Sequence, residues 1–284
     1  MVEASFADAA LVLFAHGSTV DAESSAPVYA HAAELRGRRC FAEVREAFWK
    51  QEPRLEEVVA NSKAPRVFLL PLFISEGYFS EVIIPQALGF RAEVEGEFSR
   101  WQQRGGRTLF YCRPVGTHDS MIELVLARAR EVVEKFPFPR APSPKDTTLF
   151  IAGHGTGKNE NSRKAIDRQV ELARARSLYA AVEAVFLEEE PRIGACYEIA
   201  RTRNIVVVPF FISDGMHARQ DIPVLLGEPH RAVQQRVTLG QPTWRNPTER
   251  KGRLVWCASS VGTHPHVAEV ILSRVKEICV QSRS

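Results

Sequence analysis

No stretch of this sequence approaches the roughly 18 uninterrupted apolar residues that a membrane-spanning helix needs, so no membrane partner is expected. The opening residues, Met1 to Asp8, are mildly acidic and lack the basic start of a secretory signal, which makes a cytoplasmic protein the expectation. Cysteine is sparse: Cys40, Cys112, Cys196, Cys257 and Cys279 are odd in number, widely spaced and free of any C-x-x-C pair. That pattern argues against a disulfide framework and against a zinc–thiolate site, and fits reduced thiols. A net charge of +3 with no Lys/Arg block gives no stripe for nucleic acid. Neither of the first strands in the two halves is followed by G-x-G-x-x-G, which argues against a dinucleotide site. Histidine phosphatase chemistry needs an arginine beside its histidine, and Ala15 and Gly153 stand there instead.

What the chain does have is a repeat. Its 284 residues suit about two domains, with 45% hydrophobic and 25% charged residues, as in ordinary globular proteins. The run Leu11 to Ala15 stops at His16-Gly17-Ser18, and 138 residues later Phe150 to Gly153 stops at His154-Gly155-Thr156. The same offset places Phe48 to Arg54 on Phe186 to Arg192, Pro71 to Gly77 on Pro209 to Gly215, and Pro85 on Pro223. Val115-Gly116-Thr117-His118 matches Val261-Gly262-Thr263-His264 at an offset of 146, so a short insertion lies between. Four blocks in one order establish an internal duplication.

Short apolar runs alternate with amphipathic ones in each copy. Strands are expected at 10–15, 42–48, 66–72 and 108–112, and again at 148–153, 182–187, 204–209 and 253–257. Helices are expected at 24–37, 53–61, 80–89 and 119–135, then at 161–177, 191–202, 218–226 and 265–280. Runs such as Ile205 to Val208 lack alternation and suit a parallel sheet buried on both faces. The fold class is therefore α/β, as two tandem Rossmann- or flavodoxin-like domains with parallel four-stranded sheets. Four prolines between Phe136 and Pro144 form a stiff connector, which sets domains at 1–138 and 145–284 with a ligand cleft expected between them.

In the second copy, three metal-competent groups follow three expected strands: His154, Glu188 and His217. Two imidazoles and a carboxylate suit a borderline divalent ion and serve equally as proton acceptors. The first copy keeps His16 but has Lys50 in place of Glu188 and Phe79 in place of His217. Neither replacement ligates a metal, so one active site in the second half is expected, with the first half degenerate.

These residues resemble the class II tetrapyrrole chelatases, specifically the two-domain, CbiX-like sirohydrochlorin cobalt- or ferrochelatases. The matching elements are the strand-His-Gly-Ser/Thr openings and the Phe-Leu-Glu…Glu-Pro segment. The block from Pro209 to His217 with Asp221-Ile222-Pro223, and the two Val-Gly-Thr-His loops, match as well. The resemblance covers nearly the whole chain. It implies a lyase that inserts Co²⁺ or Fe²⁺ (Ni²⁺ being possible) into a sirohydrochlorin-type ring, in cobalamin or siroheme biosynthesis. The metal is then a substrate, no organic cofactor is needed, and a monomer or homodimer suffices. His154 and His217 become the metal-handling and proton-accepting pair, with Glu188 as the third ligand and helper. The ring's eight carboxylates call for cations, for which Lys158, Arg163 and Arg219 are the candidates, with Lys50 opposite. Tyr78, Phe79, Phe211 and Met216 are candidate apolar walls. The competing reading is a carrier with the same fold that binds tetrapyrrole or metal without turnover.

Overall fold

The computed structural model describes residues 5–19, 22–90, 92–94, 97–155 and 160–282. Seven strands belong to the first copy: β1 (Phe6–Ala15), β2 (Phe41–Phe48), β3 (Arg66–Pro71), β4 (Ala92–Val94), β5 (Glu97–Phe98), β6 (Trp101–Arg104) and β7 (Arg107–Tyr111). Its helices are α1 (Ala26–Arg38), α2 (Leu55–Asn61), α3 (Ile84–Ala87) and α4 (Met121–Lys135). The second copy has β8 (Thr147–Gly153), β9 (Ala181–Phe186), β10 (Asn204–Pro209), β11 (Thr248–Arg250) and β12 (Arg253–Cys257). With them come α5 (Asn161–Ala175), α6 (Cys196–Ile199), α7 (Ile222–Leu225), α8 (His230–Thr238) and α9 (Val267–Gln281).

Two sheets form with the same strand order, β2-β1-β3-β7-β6 and β9-β8-β10-β12-β11. In each, four strands run parallel and a fifth pairs antiparallel on the edge. The sheets are thus five-stranded where four strands were expected. The added strands are three or four residues long, mostly polar, and joined to their neighbours by the two-residue turns Gly105-Gly106 and Lys251-Gly252. Hairpin chemistry of that kind is visible in the sequence, but strands so short carry no periodicity. The central strands are buried on both faces: Leu11 to Phe14, Leu149 to Ala152 and Ile205 to Val208 are all inaccessible to solvent. The expected helices at 80–89 and 218–226 are each a π-helical turn, Phe79–Ile83 and His217–Asp221, running into a single α-turn. The helix expected at 191–202 is only one 3₁₀ turn and the four residues of α6.

The compact units do not coincide with the two sequence copies. Met1–His118 and Pro265–Ser284 form one unit, and Asp119–His264 forms the other. Helix α4, from the first copy, packs with β10, β12 and α5, while α9, from the second, packs with β3 and α1. The Val-Gly-Thr-His loops hold these helices. In the second unit, Arg128 of α4 donates to Thr263 Oγ1 (2.8 Å), and His264 Nε2 meets Glu131 (3.1 Å). In the first, Arg274 of α9 donates to Thr117 Oγ1 (2.6 Å) and to the Pro114 carbonyl (3.1 Å), and His118 Nε2 meets Glu277 (3.2 Å). An amphipathic pattern states which face a helix buries, not which sheet it covers, so the exchange is invisible in periodicity. The loop glycine is required by close approach. A Cβ on Gly116 would lie 2.1 Å from the Ile74 carbonyl oxygen, and one on Gly262 would lie 2.3 Å from Ile212 Cα.

Candidate active site

In both sheets the chain passes from the first strand to one neighbour, then returns to pair the third strand on the other side. That reversal opens a crevice at the carboxyl ends of the two adjacent strands, where open α/β sheets bind ligands. In the second unit the crevice lies between β8 and β10, which pair directly through Pro209 and Ala152. His154 follows β8 and His217 follows β10, so topology alone brings them to one place.

His154 is fixed by backbone. Its carbonyl accepts from the Leu187 and Glu188 N–H groups (3.1 and 3.0 Å), tying it to the end of β9. Gly155 then turns in the left-handed region (φ 65°), where a side chain would also press on Glu189 and Phe186. The turn aims the Gly155 carbonyl back at the ring, 2.7 Å from Nδ1. A carbonyl only accepts, so Nδ1 carries the proton and Nε2 keeps its lone pair. His217 begins the π-helical turn, and its Nδ1 lies 2.6 Å from Asp221 Oδ2, one turn on. The carboxylate fixes the same tautomer, an arrangement characteristic of metal-binding histidines. Both rings are accessible, with side chains 37% and 49% exposed.

The two imidazoles meet edge to face, with centroids 4.9 Å apart and planes at 86°. Nitrogens binding one ion at about 2.1 Å, at angles between about 90° and 110°, put the ring centroids roughly 4.5–5.3 Å apart. The observed spacing falls inside that window. Phe211 lies beside His217 at 6.1 Å between centroids and packs on the core beneath.

Glu188 is placed differently from the third ligand expected of it. Its carboxylate lies 3.9 Å from His154 Nδ1, beside the nitrogen that already faces Gly155, and it is 59% exposed. Among the described residues, no three His, Cys, Asp or Glu side chains are arranged to hold one ion. The crevice thus holds an imidazole pair with one carboxylate near each ring, Glu188 at His154 and Asp221 at His217. Asp221 was missed in the sequence as a site residue. Its signal was there: the His-x-x-x-Asp spacing of one turn, and its replacement by Ile83 in the first copy, where His217 is replaced by Phe79.

The expected cations divide. Lys158 lies outside the described residues. Arg163 sits over the Phe186 ring (4.7 Å), pairs with Glu189 (3.0 Å) and Asp167 (3.5 Å), and so has its charge compensated. Arg219 belongs to the same π-helical turn as His217 and lines an adjoining cavity of about 400 Å³ with Asp214, Trp244, Asn246, Cys257 and Ser259. Met216, next to His217, is exposed.

The first unit preserves the frame, with Phe79 where the second unit has His217. His16 Nδ1 faces the Gly17 carbonyl at 3.3 Å, and its ring meets Phe79 at 5.0 Å. Phe79 in turn contacts Trp49 (5.4 Å) and Phe73 (5.9 Å), an aromatic cluster where the second unit has His217. Burial pushes the His16 imidazole below its ordinary range, against the Gly17 carbonyl, and the Lys50 charge adds to that depression.

The duplicated chain matches the CbiX family model twice, over residues 10–132 and 148–278. A protein of Halobacterium salinarum called a probable sirohydrochlorin cobaltochelatase is 37% identical over 281 residues, covering 94% of this chain and 91% of that one. Among solved structures, a multi-domain protein of Deinococcus radiodurans with structural similarity to chelatases superposes with a TM-score of 0.73 at 29% identity. The match takes in 94% of this chain and 54% of that one. SirB from Bacillus subtilis with Fe³⁺ shares the fold (TM-score 0.67, 18% identity, 97% of each chain). The repeat, the paired imidazoles at the crevice and these matches along both halves agree: the chain belongs to the CbiX family.

Proposed function

We propose that this chain inserts a divalent metal ion, Co²⁺ or Fe²⁺, into a sirohydrochlorin-type tetrapyrrole. The observation that carries the reading is the imidazole pair, with both Nδ1 atoms protonated and both Nε2 lone pairs left for one ion. The family supplies the substrate class, since the Halobacterium salinarum relative carries a cobaltochelatase name.

The chemistry follows from the two rings. Insertion exchanges one divalent ion for two pyrrole protons. His154 and His217 hold the ion through Nε2 and, as it leaves for the ring nitrogens, each vacated lone pair takes up one proton. Two imidazoles thus match both halves of the exchange. The imidazolium at His217 is stabilised by Asp221, and the one at His154 by the nearby Glu188 charge; both rings are accessible, so each Nε2 proton can leave to solvent. Holding ion and macrocycle at one crevice replaces a bimolecular encounter with an oriented one. Arg219, on the same turn as His217, is a cation that could meet a ring carboxylate.

The test is metallation of sirohydrochlorin followed by absorbance, run with Co²⁺, Fe²⁺ and Ni²⁺ against the uncatalysed rate. Acceleration with Co²⁺ or Fe²⁺ is expected. Binding of ring or ion without acceleration would leave a carrier and refute the enzymatic reading.

A further inference from the structure

The first unit poses a separate question: its second imidazole and flanking carboxylates are gone, yet an accessible imidazole remains. We propose that this unit docks the metallated macrocycle, the reaction product, with His16 as the axial ligand to its metal. The inference rests on the metal-insertion reading of the second unit.

Coordination number is the argument. A divalent ion in water needs several protein donors to be captured, and His16 has Phe79 where the second imidazole would stand and Lys50 where the carboxylate would stand. A metal already held by four ring nitrogens needs only an axial donor, and one imidazole supplies it. The His16 ring is in the required form. Nδ1 donates toward the Gly17 carbonyl, so Nε2 carries the lone pair, and the side chain is exposed.

The surroundings suit a flat polyanionic ligand. Phe79 lies against His16 with Trp49 and Phe73 behind it, and the neighbouring Tyr78 is 68% exposed. These rings offer apolar surface to a macrocycle face. Lys50 is fixed beside His16 by its own N–H, which donates to the His16 carbonyl at 2.8 Å, and brings a cation within reach of a ring carboxylate. The second unit has Glu188 at that position, which would repel such a carboxylate.

Cobalt(II) sirohydrochlorin prepared without enzyme and added to the full chain provides the test, read by electron paramagnetic resonance. A single axial ¹⁴N splits the cobalt signal into triplets. The splitting is expected in the wild type, in His154→Ala and in His217→Ala, and is expected to vanish in His16→Ala and His16→Gln with at least tenfold weaker binding. His16→Gln keeps a donor for the Gly17 carbonyl and guards against loss through misfolding. Splitting that persists in both His16 variants, or that vanishes only with His154 or His217, overturns the proposal. Metallation by the wild type is measured separately, so a chain that inserts metal but shows no His16-dependent splitting defeats this inference alone.

Discussion

Replacing Asp221 separates what orients His217 from what coordinates the ion. The Asp221 carboxylate accepts the Nδ1–H of His217 at 2.6 Å across one π-helical turn, fixing both the tautomer and the ring angle. Loss of such an outer partner characteristically weakens metal binding by about 10–100-fold, or about 1.4–2.7 kcal/mol. Both side chains are nearly half exposed (49% and 44%), so solvent screens part of the charge effect. Asp221→Asn keeps an acceptor oxygen without the charge and is expected near the tenfold end. Asp221→Ala removes the acceptor and is expected nearer 100-fold. The assay is a Co²⁺ titration followed by d–d absorbance, paired with the Co²⁺ dependence of metallation. An exposed pair contributes at most about 1 kcal/mol to folding, so thermal stability should move by no more than about 2–4 °C. Unchanged Co²⁺ affinity in Asp221→Ala would refute the argument. So would a large loss of stability accompanying it, because the residue would then be holding the fold and not the ring.

His154→Ala and His217→Ala are each expected to lower the metallation rate at least tenfold, and His16→Ala less; equal losses from all three would remove the distinction between the units. Gly262→Ala and Gly116→Ala force a Cβ into backbone at 2.3 and 2.1 Å, so each is expected to cost about 2 kcal/mol or more, visible as a lowered urea midpoint. A fragment of residues 119–264 is expected to fold, whereas 145–284 is not. The latter loses α4, which buries Met121, Ile122, Leu124, Val125, Ala129 and Val132, and at about 1.5–3 kcal/mol for each large side chain that loss matches a typical domain's whole stability; circular dichroism showing a cooperative 145–284 would contradict the exchange of helices. The His16 imidazole titrates below its unfolded value, so the unfolded chain takes up a proton first as pH falls. Stability from this group is present above the unfolded value near 6.5 and is lost below it, down through the folded value. His16→Gln should therefore flatten the melting temperature between about pH 6.5 and 5, and an unchanged pH dependence would refute that account.

Much of this protein can be read from its linear order. The 138-residue offset, the strand-His-Gly openings and the substitutions of Phe79 and Lys50 in the first copy are statements about residue identity, and identity is what a sequence records. Unbroken apolar runs likewise announce buried parallel strands, because a strand covered on both faces needs no alternation. Topology then had to bring His154 and His217 within 4.9 Å of each other, since nothing local links residues 63 positions apart. Only the folded chain decided which nitrogen of each ring is free, because that depends on where the Gly155 carbonyl and the Asp221 carboxylate point. It also set the Glu188 carboxylate 3.9 Å from His154 Nδ1, since a position just past a strand fixes where a Cα lies and not where a carboxylate reaches. The exchange of α4 and α9 was decided last and at longest range. Their amphipathic faces fit either sheet, and the Arg–Thr and Glu–His contacts that choose between them join residues more than 130 positions apart.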